Sequence, residues 1–379
     1  MSQITETKTI KTETIKTEAL ETERIFQRGL ALSQQGDYEA AIAHFDHVMQ
    51  FQPDHSNAWA EKGNALISLD RYAEAITSFE QAIVRNPALP SIHYSLGWAA
   101  SVSGQHERAI ASFQQALALQ SDFPNAHYGL GLAFYMTGQY KAAIASLHHA
   151  LERQPDSADA WYSQGLALYA TKGYESAIKH FNQALQLQPD YQAAFSSRGA
   201  ALMGLGDYAA AIASYDKALG LNPEDAESWY QWAVCLKQSG RYQDAILGYN
   251  KAIAFQPSHT AAYGCGCCLL KLGDYEGAIA SYDRALVLQP THYQSWFNRG
   301  VALNRLGCFP EAVDSYEQAL ALQPDDPKAR NNLGGVLLKL GRFEEAIACY
   351  EKVLALHPDD ALAQQNRSVA MRRSQSSKG

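Results

Sequence analysis

Residues 158–191, ADAWYSQGLALYATKGYESAIKHFNQALQLQPDY, carry the pattern that decides the fold. Trp161, Gly165 and Leu168 are spaced four and three apart, which places them on one face of a first helix. The glycine lies between two bulky residues and leaves a groove that a neighbouring helix can enter. Gly173 is then expected to end this helix.

A second helix follows at once. Tyr174 is expected to open the turn, and Ala177, Phe181 and Ala184 share one face at the same spacing of four and three. The two alanines let the helices approach closely, and the aromatic ring fills the space between them. Pro189 cannot lie inside a helix, so it ends the pair and begins the link to the next one.

This pattern recurs along most of the chain. The prolines that close the units lie 34 residues apart, with one step of 33, and Ser121 replaces proline once. A helix pair of this kind cannot bury its apolar face alone, so the sequence predicts a solenoid of stacked pairs. The predicted units are 22–55, 56–89, 90–123, 124–157, 158–191, 192–225, 226–259, 260–292, 293–326 and 327–360.

The repeated residues resemble the signature of the tetratricopeptide repeat (TPR) family. The resemblance implies an all-α fold, a right-handed superhelix of helix-turn-helix repeats whose first helices line a concave groove for peptides or partner helices. The glutamine-rich LQPD links resemble those of bacterial, especially cyanobacterial, members. Corresponding positions elsewhere read Trp59, Gly63, Leu66, Trp296, Gly300 and Leu303 in first helices, and Ala75, Phe79, Ala82, Ala312, Tyr316 and Ala319 in second helices.

The ends of the chain depart from the repeat. Residues 1–21 are rich in Thr, Glu and Lys and are predicted to form a flexible tail. Residues 361–373 continue the first-helix pattern with polar side chains, as a capping helix should, and 374–379 are expected to be disordered. His93 and His127 replace tryptophan in two units, which we interpret as neutral repacking.

The unit 260–292 is one residue short between Pro257 and Gly266. An α-helix cannot lose a residue without rotating everything upstream by about 100°. The loop is therefore expected to absorb the loss, leaving Ala262 in the tryptophan position and Tyr263 one residue further on. A weaker joint to the preceding unit is expected as a consequence.

Composition excludes several classes of protein. A net charge of −8 disfavours nucleic acid as a partner, since phosphate binding needs a basic surface. No apolar run is long enough for an integral membrane segment, and the first residues do not resemble a secretory signal. The six cysteines all follow residue 234, which favours free thiols and a cytoplasmic location over a disulfide scaffold.

No catalytic, phosphate-binding or cofactor motif is present. The CxxC spacing from Cys265 to Cys268 has no second pair to complete a metal site, so small apolar packing is favoured. A redox role for Cys265, Cys267 and Cys268 is the alternative. The sequence therefore predicts a protein that is not an enzyme and binds no cofactor or metal.

A second stripe on the first helices is predicted to line the groove. It starts one residue after the tryptophan position and recurs at four and then three. The stripe is aromatic and aliphatic in three consecutive units, and it is polar and mildly basic in later units. Truncating its tyrosines is expected to leave the fold intact. The candidate binding residues are Tyr94, Trp98, Tyr128, Leu132, Tyr135, Met136, Tyr162, Leu166, Tyr169, Tyr230, Tyr263, Phe297, Asn298 and Arg305.

Tyrosine is usual at two of these positions in the family, so family habit is the alternative to a binding role. Two specialised binding modes of the family are not matched by this sequence. The first is a clamp for two carboxylates, and Ala60 stands where that clamp has a lysine. The second is a ladder of asparagines along the groove, and only Asn298 and Asn332 match it.

The resulting prediction is a non-catalytic scaffold or adaptor that binds a peptide or helix of a partner protein, with assistance in assembling a multiprotein complex as the sharper version. The alternatives are a signalling-peptide sensor whose solenoid changes curvature, and a substrate-recognition subunit of a separate enzyme.

Overall fold

The computed structural model describes residues 19–376, and within that range every regular element is an α-helix. Most of the predicted N-terminal tail, residues 1–18, lies outside the described residues, as do residues 377–379. Residues 19–21, assigned to the tail from the sequence, already belong to the first helix, in which Thr22 is buried.

The described residues divide into two compact bodies, one ending at Pro189 and the other beginning at Asp190. The helices of the first body are α1 (19–34), α2 (Tyr38–Phe51), α3 (Ser56–Ser68), α4 (Tyr72–Arg85), α5 (Pro90–Val102), α6 (His106–Leu119), α7 (Pro124–Met136), α8 (Tyr140–Arg153), α9 (Ala158–Ala170) and α10 (Tyr174–Leu187). Those of the second are α11 (Gln192–Gly204), α12 (Tyr208–Leu221), α13 (Ala226–Gln238), α14 (Tyr242–Phe255), α15 (His259–Leu272), α16 (Tyr275–Leu288), α17 (Tyr293–Leu306), α18 (Phe309–Leu322), α19 (Pro327–Lys339), α20 (Phe343–Leu356) and α21 (Ala361–Ser376).

Within each body the helices pack in tandem pairs, an odd-numbered first helix with the even-numbered second helix that follows it. Each first helix from α3 to α7 also contacts the first helix of the next pair, and the same holds from α11 to α19. This is the arrangement of a TPR solenoid.

The interior of each pair follows the predicted pattern. Ala177, Phe181 and Ala184 are fully buried on one face of α10. A Cβ added to Gly165 of α9 would lie 2.6 Å from Cε1 of Phe181, so the glycine lets the ring approach the first helix. The predicted interlocking of glycine and aromatic ring is confirmed.

The turn between α9 and α10 differs from the expectation. Lys172, not Gly173, adopts the left-handed backbone, with φ of 62°. Gly173 caps the second helix with φ of −78°, and Tyr174 is already the first residue of α10. The equivalent residue of the preceding pair is Gly138, with φ of 75°, because the left-handed region carries no steric cost for glycine.

The side chain at the tryptophan position makes a hydrogen bond in addition to its packing. The indole Nε1 of Trp161 donates to the carbonyl oxygen of Pro155 at 2.8 Å, closing the link that leads into α9. Trp59, Trp229 and Trp296 make the same hydrogen bond to the carbonyl oxygens of Pro53, Pro223 and Pro290, each six residues earlier in the chain.

The two histidines at this position keep the bond. Nε2 of His93 lies 2.9 Å from the carbonyl oxygen of Pro87, and Nε2 of His127 lies 3.1 Å from that of Ser121. A carbonyl oxygen only accepts, so each imidazole donates. These replacements therefore preserve a polar contact, which the interpretation as neutral repacking did not include.

The short repeat has the predicted register. Helix α15 begins at His259, two residues after Pro257, whereas α9 begins three residues after its proline. A Cβ on Gly266 would lie 2.6 Å from Cε1 of Tyr282, as in the other pairs. Ala262 is buried in the tryptophan position and offers no indole for the link. The loop absorbs the missing residue.

The joint before this repeat retains a core. Cys265 and Cys268 of α15 are buried in one cluster with Tyr249 of α14. A cavity of about 370 Å³ lies beside the shortened link, lined in part by Pro257 and Tyr230. The weaker joint stays a prediction.

The last helix is longer than the sequence suggested. Helix α21 packs on α20 and α19 and buries Ala363 and Ala370. It continues to Ser376 rather than ending at residue 373, because Ser374 is buried and its hydroxyl donates to Glu344 at 3.1 Å. Residues 374–376, expected to be disordered, are helical.

Candidate partner-binding surfaces

Two neighbouring first helices carry no charge. Helices α5 and α7 contact each other and contain no Asp, Glu, Lys or Arg, although 18% of the chain is charged. A surface helix normally presents charged residues to water. These two therefore offer an unusually apolar exposed side.

Three apolar side chains stand out from these helices. Trp98 and Val102, one turn apart on α5, are 38% and 48% exposed, and Met136 at the end of α7 is 60% exposed. We call these three residues the apolar face. A recess of about 230 Å³ lies beside Trp98 and is lined by Ile67, Tyr94 and Ser95 together with the indole.

Val102, Ile67 and Ser95 were missed by the sequence analysis. Val102 was visible as the residue one turn after Trp98 and one repeat before Met136. Ile67 and Ser95 enter the recess only because α3 and α5 are neighbours, which the groove stripe alone does not show.

The first tyrosines of the predicted stripe are half-buried. The ring of Tyr94 lies 5.9 Å from that of Phe113 and 5.1 Å from that of Phe123. The ring of Tyr162 lies 5.8 Å from that of Phe181. Truncating these side chains would remove packing as well as groove surface, so it should lower stability, and the survival of the fold after truncation stays a prediction.

Tyr128 links neighbouring first helices. Its hydroxyl is hydrogen-bonded to Ser163 of α9, and burial raises its pKa above the usual value for tyrosine. Burial also raises the pKa of Tyr135, with further contributions from Tyr140 and Tyr162. The structure thus brings the tyrosines of α7 close to those of α9.

The remaining predicted residues of the first body lie on α7 and α9. The ring of Tyr169 lies 5.6 Å from that of Tyr174, the same separation as between Tyr135 and Tyr140. Leu132 and Leu166 are half-buried on α7 and α9.

In the second body, the predicted aromatic residues also pack against the second helix of their own pair. Each first-helix ring lies about 6 Å from the ring of the second helix in its own pair, the range expected for aromatic pairs. The separations are 5.9 Å for Tyr230 and Tyr249, 5.9 Å for Tyr263 and Tyr282, and 6.0 Å for Phe297 and Tyr316.

Asn298 is engaged in a local network. Its Nδ2 donates to the hydroxyl of Tyr263 at 3.1 Å and to Sγ of Cys267 at 3.8 Å, while Tyr282 donates to the same sulfur at 3.7 Å. These bonds hold α15 and α17 together.

The other cysteines of this region are packed inside. Burial raises the pKa of Cys235 to about 11 and that of Cys268 to about 12, so both stay protonated at neutral pH. Among residues 19–376, no group of three or more His, Cys, Asp or Glu side chains could hold a metal ion.

Arg305 differs from the other predicted residues because it is exposed and charged. It lies in the last turn of α17, and none of the ion pairs among the described residues involves it.

Comparison with known families agrees with the helix pairs. A family model described as tetratricopeptide repeat matches residues 26–90, 137–191, 197–260, 266–327 and 305–361, and one described as TPR repeat matches 103–138. The chain belongs to the tetratricopeptide-repeat family.

Several solved structures are similar to this TPR chain. MamA is 25% identical, with 45% of this chain and 92% of that chain covered and a TM-score of 0.43. YrrB, described as a TPR protein with an unusual peptide-binding site, is 24% identical over 48% of this chain and 94% of that one, with a TM-score of 0.44. A tetratricopeptide repeat protein from Parabacteroides merdae is 17% identical over 66% and 97%, with a TM-score of 0.49. Among curated proteins, no sequence matches significantly.

The TPR fold is that of a protein–protein interaction scaffold, which points to proteins or peptides as partners. None of the described helices combines the length and the apolar character needed to cross a bilayer.

Proposed function

We propose that this TPR protein is a non-catalytic scaffold or adaptor that binds an extended or helical segment of a partner protein through the apolar face. The partner segment carries at least one large apolar side chain, which enters the recess beside Trp98. We propose that the remaining predicted groove residues of the first body extend this contact.

The observation that supports the proposal is the coincidence of three features on α5 and α7. The helices lack charge, three large apolar side chains are exposed, and a recess opens between α3 and α5. Exposed apolar surface costs about 25 cal/mol per Å² relative to its buried state, so covering it drives association. Aromatic side chains such as Trp98 are the usual centres of binding energy in interfaces.

The proposal also includes the process in which the scaffold takes part. A scaffold without catalytic groups acts by bringing partners together, and we propose that this one assists the assembly of a multiprotein complex. The unpaired thiols of the six cysteines favour the cytoplasm as its location.

The test is a selection of random peptides on the full chain. The wild type should enrich peptides with an aromatic or aliphatic anchor, and the triple variant Trp98→Ser, Val102→Ser, Met136→Ser should lose that enrichment. The selected peptides are then measured by calorimetry.

A matched control is available in the same body. Phe51, Val84 and Leu119 are 59%, 76% and 43% exposed but lie on second helices. Their replacement by serine should leave binding unchanged. Peptides retained by the variant of the apolar face, or lost equally by the control, would reject the proposal.

A further inference from the structure

A row of cations recurs at the last turn of consecutive first helices in the second body. Its members lie 34 residues apart, and each is the basic residue of its helix's last turn. We call them the basic row: Lys237, Lys271, Arg305, Lys339 and Arg373.

The row begins abruptly in the sequence. The same position in five earlier first helices is occupied only by uncharged side chains, namely Ile67, Ser101, Tyr135, Tyr169 and Met203. A cation near a helix C-terminus stabilises the helix dipole by about 0.3–1 kcal/mol. That benefit applies equally to the earlier helices, which do without it, so helix stability does not explain the row.

The helices that carry the row contain little negative charge. Helices α15, α17, α19 and α21 contain no Asp or Glu, and the single acid of α13, Glu227, lies in its first turn, at the far end. No ion pair among the described residues involves a member of the row. The chain as a whole is acidic, with a net charge of −8, so this concentration of cations is local.

One contact shows how the row is held. Nζ of Lys339 donates to Oδ1 of Asn304 at 2.8 Å, bridging α19 to α17, and lies 5.0 Å from the ring centroid of Phe309. The ammonium group is thereby positioned without being neutralised.

We infer that the basic row binds an extended acidic segment of a partner protein, with a carboxylate at every third residue. The spacing follows from geometry. Adjacent first helices touch, and packed helices lie about 8–10 Å apart, while an extended chain advances about 3.3–3.6 Å per residue. Three residues of the partner therefore span one step of the row. The inference rests on the proposed function in that the chain binds protein segments on its first helices, but it uses a different surface.

The experiment measures fluorescence anisotropy of labelled peptides with the full chain. A peptide with glutamate at every third position should bind, and an isomer with its glutamates contiguous should bind more weakly. Binding should weaken with added salt, since exposed charges are screened.

Two variants that lose the same number of positive charges distinguish binding by the basic row from general electrostatic attraction. The variant Lys237→Gln, Lys271→Gln, Arg305→Gln, Lys339→Gln should bind at least about tenfold more weakly, and each single change about two- to fivefold. The control removes four exposed cations from second helices and should bind as the wild type does: Lys217→Gln, Lys251→Gln, Arg284→Gln and Lys352→Gln. Circular dichroism confirms that both variants keep their helices.

Three results would overturn the inference: equal loss in the control, equal or tighter binding of the contiguous isomer, or row-dependent binding of a DNA strand of the same charge that is tighter than that of the peptide. The serine variant of the apolar face should bind the acidic peptide normally. A failure of the basic row is therefore distinguishable from a failure of the proposed function.

Discussion

Adjacent glycines in α19, Gly334 and Gly335, should respond to the same substitution with opposite signs. A Cβ on Gly334 would lie 2.8 Å from both Cε1 and Cζ of Tyr350, whereas the nearest atom to a Cβ on Gly335 is the Tyr350 hydroxyl at 4.0 Å. Tyr350 is fully buried and cannot swing away without opening the core of the last pair.

The magnitudes follow from two effects. Alanine in a helix interior is more favourable than glycine by about 0.8–1 kcal/mol, and both variants gain this. Only Gly334→Ala also overfills a packed site, at a cost of about 1–3 kcal/mol. Gly335→Ala should therefore raise the free energy of unfolding of the last pair by about 1 kcal/mol, and Gly334→Ala should lower it by up to about 2 kcal/mol.

The assay is hydrogen exchange of α19 and α20 measured by mass spectrometry, because stacked repeats open locally and one global unfolding energy would average the effect. The difference between the two variants isolates the packing cost, since the helix-propensity gain cancels. Equal shifts of the same sign would refute the idea that glycine is required there by the ring of Tyr350.

Three further predictions concern other parts of the chain. Lys172→Gly should raise stability by up to about 1 kcal/mol in thermal unfolding, because it relieves a left-handed lysine, and a decrease would contradict this. Burial lowers the pKa of His127 and His180, so the unfolded chain binds more protons and stability should fall as pH drops through about 6.5. Melting curves at pH 7.5 and 5.5 should show a smaller difference in the double variant His127→Gln, His180→Gln than in the wild type. Cys235 and Cys268 should resist iodoacetamide until the protein is denatured, as followed by mass spectrometry, and rapid labelling of the native protein would count against their burial.

The core of each helix pair could be predicted from the sequence because it depends on residues within one repeat. Gly165 and Phe181 meet across a single turn, so their spacing carries the contact. The register of the short repeat was predictable for the same reason, since Gly266 and Tyr282 fix it locally.

The features that sequence reasoning missed depend on neighbouring repeats or on unlikely residue types. Tyr94 is half-buried because Phe123, from the link to the next pair, lies against it. Lys172 adopts a conformation that its residue type does not suggest. The exposure of Trp98 and Val102 depends on what α3 and α7 leave uncovered, which no pattern within α5 reveals.

The hydrogen bond at the tryptophan position has a spectroscopic consequence. Of the six tryptophans, four have the indole nitrogen bonded to a proline carbonyl at the entrance of a first helix. Their emission therefore reports on the links between pairs rather than on the helix cores. Trp98 stands apart, being exposed on the apolar face, so a soluble quencher such as iodide reaches it most readily. The chain thus carries its own optical label at the place where a partner is proposed to bind.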